Sequence, residues 1–201
     1  MLWADFGPYV MPYVIGCPDP LMELHVKLAA IKFCTETKCW SKRLDAFETD
    51  GTALLEIDAT SDNARILDFD VVEVNGVDWP LLDADAGAMQ AQADATKAFC
   101  FADDMSAINI YPLQVSGVPV VVRAQLVPAM SSTYIARDLE HYAEAISFGA
   151  VASIMRIPGQ TFSSSASQGF EDMFRDRIRS ESSRLARGQI ATTERVIPSF
   201  M

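Results

Sequence analysis

The feature that most constrains this chain is a change of hydrophobic period, from helical to two and back again. Leu21, Leu24, Leu28 and Ile31 recur at three and four residues, with Ala29, Ala30, Phe33 and Cys34 widening the apolar face. That spacing predicts a helix from Pro20 to about Trp40, and so wide a face predicts burial between other elements. The entry is Cys17-Pro18-Asp19-Pro20. Asp19 is placed to accept hydrogen bonds from the first-turn amides, and Pro20 suits the first helical position because its missing N–H costs nothing there.

From about residue 53 to 128 the period becomes two and the residues turn β-branched. LLEID (54–58), RILDFDVVEV (65–74), AFCFA (98–102), AINIY (107–111) and VPVVVRAQLV (118–127) are expected strands, and Asn75-Gly76 between valines signals a tight hairpin. Ile66, Asp68 and Asp70 alternate within one run, which puts the carboxylates on a solvent face. DADAGAMQAQADATK (83–97) fits either a loop or a short helix.

Helical spacing returns after Ser132, through Ile135, Leu139, Tyr142, Ala143, Ile146, Ala150 and Ile154, and Pro158-Gly159 stops it. The small residues of this stretch permit close helix approach. Beyond a Ser-rich turn (163–167), Phe170, Phe174, Ile178 and Leu185 mark an arginine-rich helix ending near Gly188. The last segment, 189–201, closes with the apolar run Val196-Ile197-Pro198-Ser199-Phe200-Met201. The expected fold class is therefore α+β: a mainly antiparallel helical bundle (1–52 and 129–188), a β-rich insertion module (53–128) and an extended C-terminal docking tail (189–201).

Charge and length narrow the function. With 201 residues the chain is long enough for one real core, and half of it is apolar. Its most apolar stretch, Val118 to Pro128, is broken by Pro119 and Arg123, so no membrane span is expected. The N-terminus lacks a basic region and a small-residue cleavage site, which points to synthesis in the cytoplasm. Residues 45–104 hold fifteen acids against Arg65 and Lys97, a local net of −13, which argues against a general DNA-binding surface. Residues 137–201 balance eight acids with eight arginines and no lysine. Arginine's planar donor fork suits interfaces and paired carboxylates.

No catalytic or cofactor motif stands out, and none is expected. Cys17, Cys34, Cys39 and Cys100 lack zinc-site spacing, and the two histidines, His25 and His141, are far apart. Asp103-Asp104 invites a divalent-metal reading, but a solvated strand end explains it more simply because no base, nucleophile or phosphate loop accompanies it. The arginine-rich helix has three readings: an exposed ion-paired face, a protein interface, or, least favoured by its balancing acids, a DNA contact.

Three stretches resemble the head-to-tail adaptor (connector or neck) proteins of tailed phages. They are Pro12-Tyr13-Val14-Ile15-Gly16-Cys17-Pro18-Asp19-Pro20-Leu21 with the helix that follows to Trp40, the hairpin region Val72 to Trp79, and Phe148 to Phe162 with the arginine-rich helix beyond. The family pattern has a Trp where this chain has Phe162. The resemblance implies a non-enzymatic virion subunit without metal or cofactor. It would assemble as a ring, twelve copies to match the portal, joining portal to tail while genomic DNA passes through the lumen. It also implies that Arg175, Arg177, Arg179, Arg184 and Arg187, with Ile197, Phe200 and Met201, contact the portal or a neighbouring subunit. A tail-completion subunit capping the tail tube is the nearest alternative, and an accessory enzyme using the acidic β module is a more distant one.

Overall fold

The computed structural model describes residues 1–44, 47–57, 63–93, 96–158 and 164–193. The chain forms two compact units, Met1–Cys39 together with Met130–Met201, and Trp40–Ala129.

The first unit is helical. A 3-10 turn (Trp3–Phe6) and α1 (Gly7–Val10) precede α2 (Asp19–Thr37); a second 3-10 turn (Arg137–Tyr142) leads into α4 (Ala143–Met155), and α5 runs Ser164–Thr193. Pro18 caps α2 and makes no side-chain cap bond, so Asp19 is the first helical residue and not the cap. The helix ends at Lys38, which is left-handed at φ 53° and closes the last turn by donating its N–H to the Cys34 carbonyl at 2.8 Å. The core gathers Met22, Val26, Ala29, Ala30, Phe33 and Cys34 of α2 with Ile146, Ala150 and Ile154 of α4 and Phe174 and Ile178 of α5. Gly149 lets α4 and α5 approach closely: a Cβ there would lie 3.0 Å from the Phe174 ring. Trp3, Phe6, Val10 and Val14 are buried too, and the Trp3 indole N–H donates to the Ser132 carbonyl at 3.0 Å. This N-terminal contribution has no signature in the sequence, because its helical pieces are only four residues each.

The second unit holds two sheets. One has the order β1 (Ser41–Arg43), β9 (Pro119–Pro128), β4 (Ala64–Val74), β5 (Val77–Trp79), with β2 (Phe47–Glu48) also on β9. The other has the order β3 (Leu54–Glu56), β8 (Ala107–Tyr111), β7 (Phe99–Asp104), β6 (Leu81–Leu82). β4 and β9 pair antiparallel along most of their lengths, with register shifts between Ile66 and Asp68 and between Phe69 and Val71. Asn75 and Gly76 both take positive φ, 50° and 78°, in the two-residue turn that the Asn-Gly signal predicts. The stretch left open between loop and helix contains α3 (Ala84–Ala93). Gly87 of α3 sits against Phe101 so closely that a Cβ would overlap the ring.

The expectation of a mainly helical bundle is corrected by this architecture. The fold is α+β with two sheets and a large β share. The second unit is no appendage, because it buries its own core of Ile66, Phe69, Val72, Phe99, Phe101, Ile108, Ile110, Val120, Val122 and Leu126. Strand structure also begins at Ser41, earlier than residue 53, because the polar Ser-Lys-Arg strand is specified by its partner β9 and not by its own alternation. At the other end α5 runs through Gly188 to Thr193, so the tail expected from residue 189 starts as helix.

Candidate functional site

The residues expected at an interface lie mostly on α5, whose inward face is short. Among its described side chains Ser167, Glu171, Phe174 and Ile178 are buried, and from Arg179 to Arg187 none is fully buried, though Glu181, Ser182 and Leu185 are half-buried. The arginines project along the remaining faces. Arg175 Nε donates to Glu171 Oε1 at 3.0 Å, Arg177 Nη2 to Glu144 Oε2 at 3.4 Å, and Arg179 Nη1 to Asp176 Oδ1 at 3.4 Å. Arg184 bridges two partners, Glu181 Oε2 at 2.8 Å and the Tyr142 hydroxyl at 3.0 Å, while Arg187 Nε donates to the Ser183 carbonyl at 3.1 Å. Exposed contacts of this kind contribute little stability, because solvent screens them. Their effect is to hold the guanidinium groups in place on the outer surface. Ile197, Phe200 and Met201 lie outside the described residues.

Glu171 differs from the other acids. It is 6% exposed and receives Arg175, Lys32 at 3.5 Å and Arg156 at 3.4 Å, so three cations from three helical segments meet one carboxylate. Arg156 also donates to Ser167 Oγ at 3.1 Å. Glu171, Lys32 and Arg156 border a cleft of about 220 Å³ with Leu28, Ala29, Gly149, Ser153 and Phe174. Sequence spacing shows Arg175 four residues from Glu171, but Lys32 and Arg156 reach it only through tertiary packing.

The leucine stripe of α2 falls on the other side from its expected place. Leu24 and Leu28 are 42% and 44% exposed, and Leu21 and Ile31 are half-buried. At 100° per residue these four lie opposite the buried Met22, Val26, Ala30 and Phe33. The helix is therefore apolar on two faces, only one of which this unit covers among the described residues. Spacing finds both faces and cannot say which meets the core.

Where α2 ends, a polar cluster forms around Cys39. A hydrogen bond from the Cys34 thiol lowers the Cys39 thiol's pKa, helped by Thr37 and opposed by burial, while Cys34 is driven up by the same hydrogen bond and by burial. Burial, then Cys39 and Glu181, raises Tyr142, and Glu181 and Tyr142 hold Arg184 in its charged form. His25 Nδ1 lies 2.8 Å from Ser153 Oγ, and burial lowers its pKa. Cys100, buried in the second unit, is pushed up to about 12.

In the second unit Arg43, Arg123, Glu73 and Asp78 line a cleft of about 150 Å³ on the face of the β9-β4-β5 sheet. Asp103 and Asp104 end β7, and their side chains lie outside those described. Among the described residues no three His, Cys, Asp or Glu side chains converge as a metal would require. Among the described residues no helix is long and apolar enough to cross a membrane. No protein-family model matches this chain, and no curated protein matches it.

Proposed function

We propose that the chain is a structural subunit of a tailed-phage virion, a head-to-tail adaptor that forms a ring beneath the portal and joins it to the tail. The observation that carries this reading is α5. Past Ile178 no residue from Arg179 to Arg187 is fully buried; Glu181, Ser182 and Leu185 are half-buried, and Arg179, Arg184 and Arg187 are exposed along this run. A mostly polar, arginine-rich stretch of helix that adds little to its own core either bridges solvent or meets a partner. Arginines held by neighbouring acids are suited to a protein partner, since arginine is enriched and lysine depleted at such interfaces. The three resembling stretches give the partner its class, a portal on one side and a tail protein on the other.

The reading predicts that the purified full chain co-sediments with the portal assembly of the same phage, and that a chain ending at Arg187 does so at least tenfold more weakly, an interface loss of about 1.4 kcal/mol or more. A full chain that ignores the portal and caps isolated tails would replace the adaptor by a tail-completion subunit.

A further inference from the structure

We infer that Cys34 and Cys39 form a reversible disulfide, and that Cys39 is the thiol through which a small-molecule disulfide of the glutathione class reaches the pair. The inference goes beyond the adaptor reading and does not depend on it. It starts from the way α2 ends. On a continuing helix, residues five apart point about 140° away from each other, so Cys34 and Cys39 would not meet. Lys38 breaks that course: at φ 53° it turns left-handed and donates its N–H to the Cys34 carbonyl at 2.8 Å. Cys39 is the next residue, and its own N–H donates to Thr37 Oγ1 at 3.3 Å. The Thr37 hydroxyl is itself fixed, donating to the Phe33 carbonyl at 2.7 Å. The chain is thus folded back over the last turn, and the Cys34 thiol donates a hydrogen bond to the Cys39 sulfur.

Unlike surroundings give the two thiols different roles. Cys39 alone among the four cysteines is not fully buried. The hydrogen bonds from Cys34 and Thr37 hold its pKa below the ordinary thiol value, against the opposing effect of burial. Cys34 is enclosed, and the same hydrogen bond together with burial keeps it protonated. The thiolate is the nucleophile in disulfide exchange, so Cys39 attacks and Cys34 resolves. Cys17 and Cys100 are buried, and burial raises both.

The Cys39 sulfur attacks one sulfur of the small disulfide, whose S–S bond breaks and releases one small thiolate. The Cys34 sulfur then attacks the Cys39 sulfur, and the second small thiolate leaves as the Cys34–Cys39 bond forms. The protons of the two protein thiols end on the two released thiolates. Two electrons pass from the protein to the small disulfide, which becomes two small thiols, and an excess of those thiols reverses the exchange. The bridge closes a ring over residues 34–39 and fixes the left-handed exit of α2, where the first unit ends at Cys39.

The test incubates the reduced full chain with oxidised glutathione, folded and in parallel unfolded in guanidinium, then quenches with acid and alkylates the free thiols for mass mapping. Trypsin cuts after Lys32, Lys38 and Lys42, so the bridge is read as Phe33–Lys38 joined to Cys39–Lys42, lighter by two hydrogen atoms than the reduced peptides together. The expected result is that joined pair as the main product of the folded chain, reversed by dithiothreitol, with Cys39 consumed about tenfold or more faster than Cys17 or Cys100. Cys34→Ser should stop at a stable glutathione adduct on Cys39, and Cys39→Ser should leave Cys34 unmodified. Circular dichroism shows whether each variant is folded, and the mapping of the parent chain decides the matter where one is not. A stable glutathione adduct on Cys39 in the parent, a bridge through Cys17 or Cys100, a bridge formed only in the unfolded chain, or four thiols that stay free in the folded chain overturns the inference.

Discussion

Glu171 is the side chain on which α2, α5 and the end of α4 converge. It is nearly buried and its partners Lys32, Arg156 and Arg175 are each about half exposed, so the hub is stabilising chiefly because it satisfies a carboxylate that packing has already withdrawn from water. Glu171→Gln leaves three cations crowded around a neutral amide. It should lower the unfolding free energy by about 1–3 kcal/mol, read as a shift in the denaturant midpoint, and an unchanged midpoint would contradict the role assigned here. His25 gives a pH-dependent counterpart. Burial lowers its folded-state pKa below the unfolded value, so the unfolded chain binds the proton more readily. The stability it contributes is present above pH about 6.5 and is lost as pH falls below that. Denaturation at pH 7 and pH 5 should show a smaller difference for His25→Gln than for the parent, and an equal difference would remove His25 as the source.

At the level of elements, α2 poses the sharpest test because its two faces make opposite predictions. Phe33→Ala, on the inner face, should cost about 3–5 kcal/mol. Leu24→Ser and Leu28→Ser, on the outer face, should change the stability of the isolated chain by about 0.5 kcal/mol or less, as surface substitutions do. A large loss at Leu24 would mean that the stripe is core after all. α3 offers a second test at Gly87. Alanine is the better helix former by about 1 kcal/mol, but its Cβ would overlap Phe101, so Gly87→Ala should destabilise by about 1–3 kcal/mol in thermal or denaturant unfolding.

These elements also show what was legible in the residues. β8 appears as Ala107–Tyr111 because strict alternation and flanking turns mark it, and the β4-β5 hairpin follows from Asn75-Gly76 because positive φ at both positions selects those residues. β1 was not legible, since Ser41–Arg43 becomes a strand by pairing with β9. The helical period of α2 was legible, but the choice of inner face was not. The small Ala29 and Ala30 let the core side approach α4, and a contest between two apolar faces is settled only by what packs against each. The arginines of α5, proposed for the interface, are readable from composition, whereas the Glu171 hub and the exposed leucines arise from tertiary structure.

For the whole molecule, charge divides along the same boundary as the cores. Residues 40–129 hold fifteen acids against five lysines and arginines, a net of −10, so nearly all of the chain's −11 resides in the second unit. The first unit, close to neutral, contains the uncovered α2 stripe and the arginine run of α5. Surfaces that combine apolar area with oriented guanidinium groups belong to protein interfaces more than to phosphate backbones. The proposed adaptor would work through such faces. Electron microscopy of purified portal, alone and after incubation with the full chain, tests this account most directly. It predicts a closed ring of added density on the tail-facing side of the portal. Portal particles unchanged at saturating chain would contradict it.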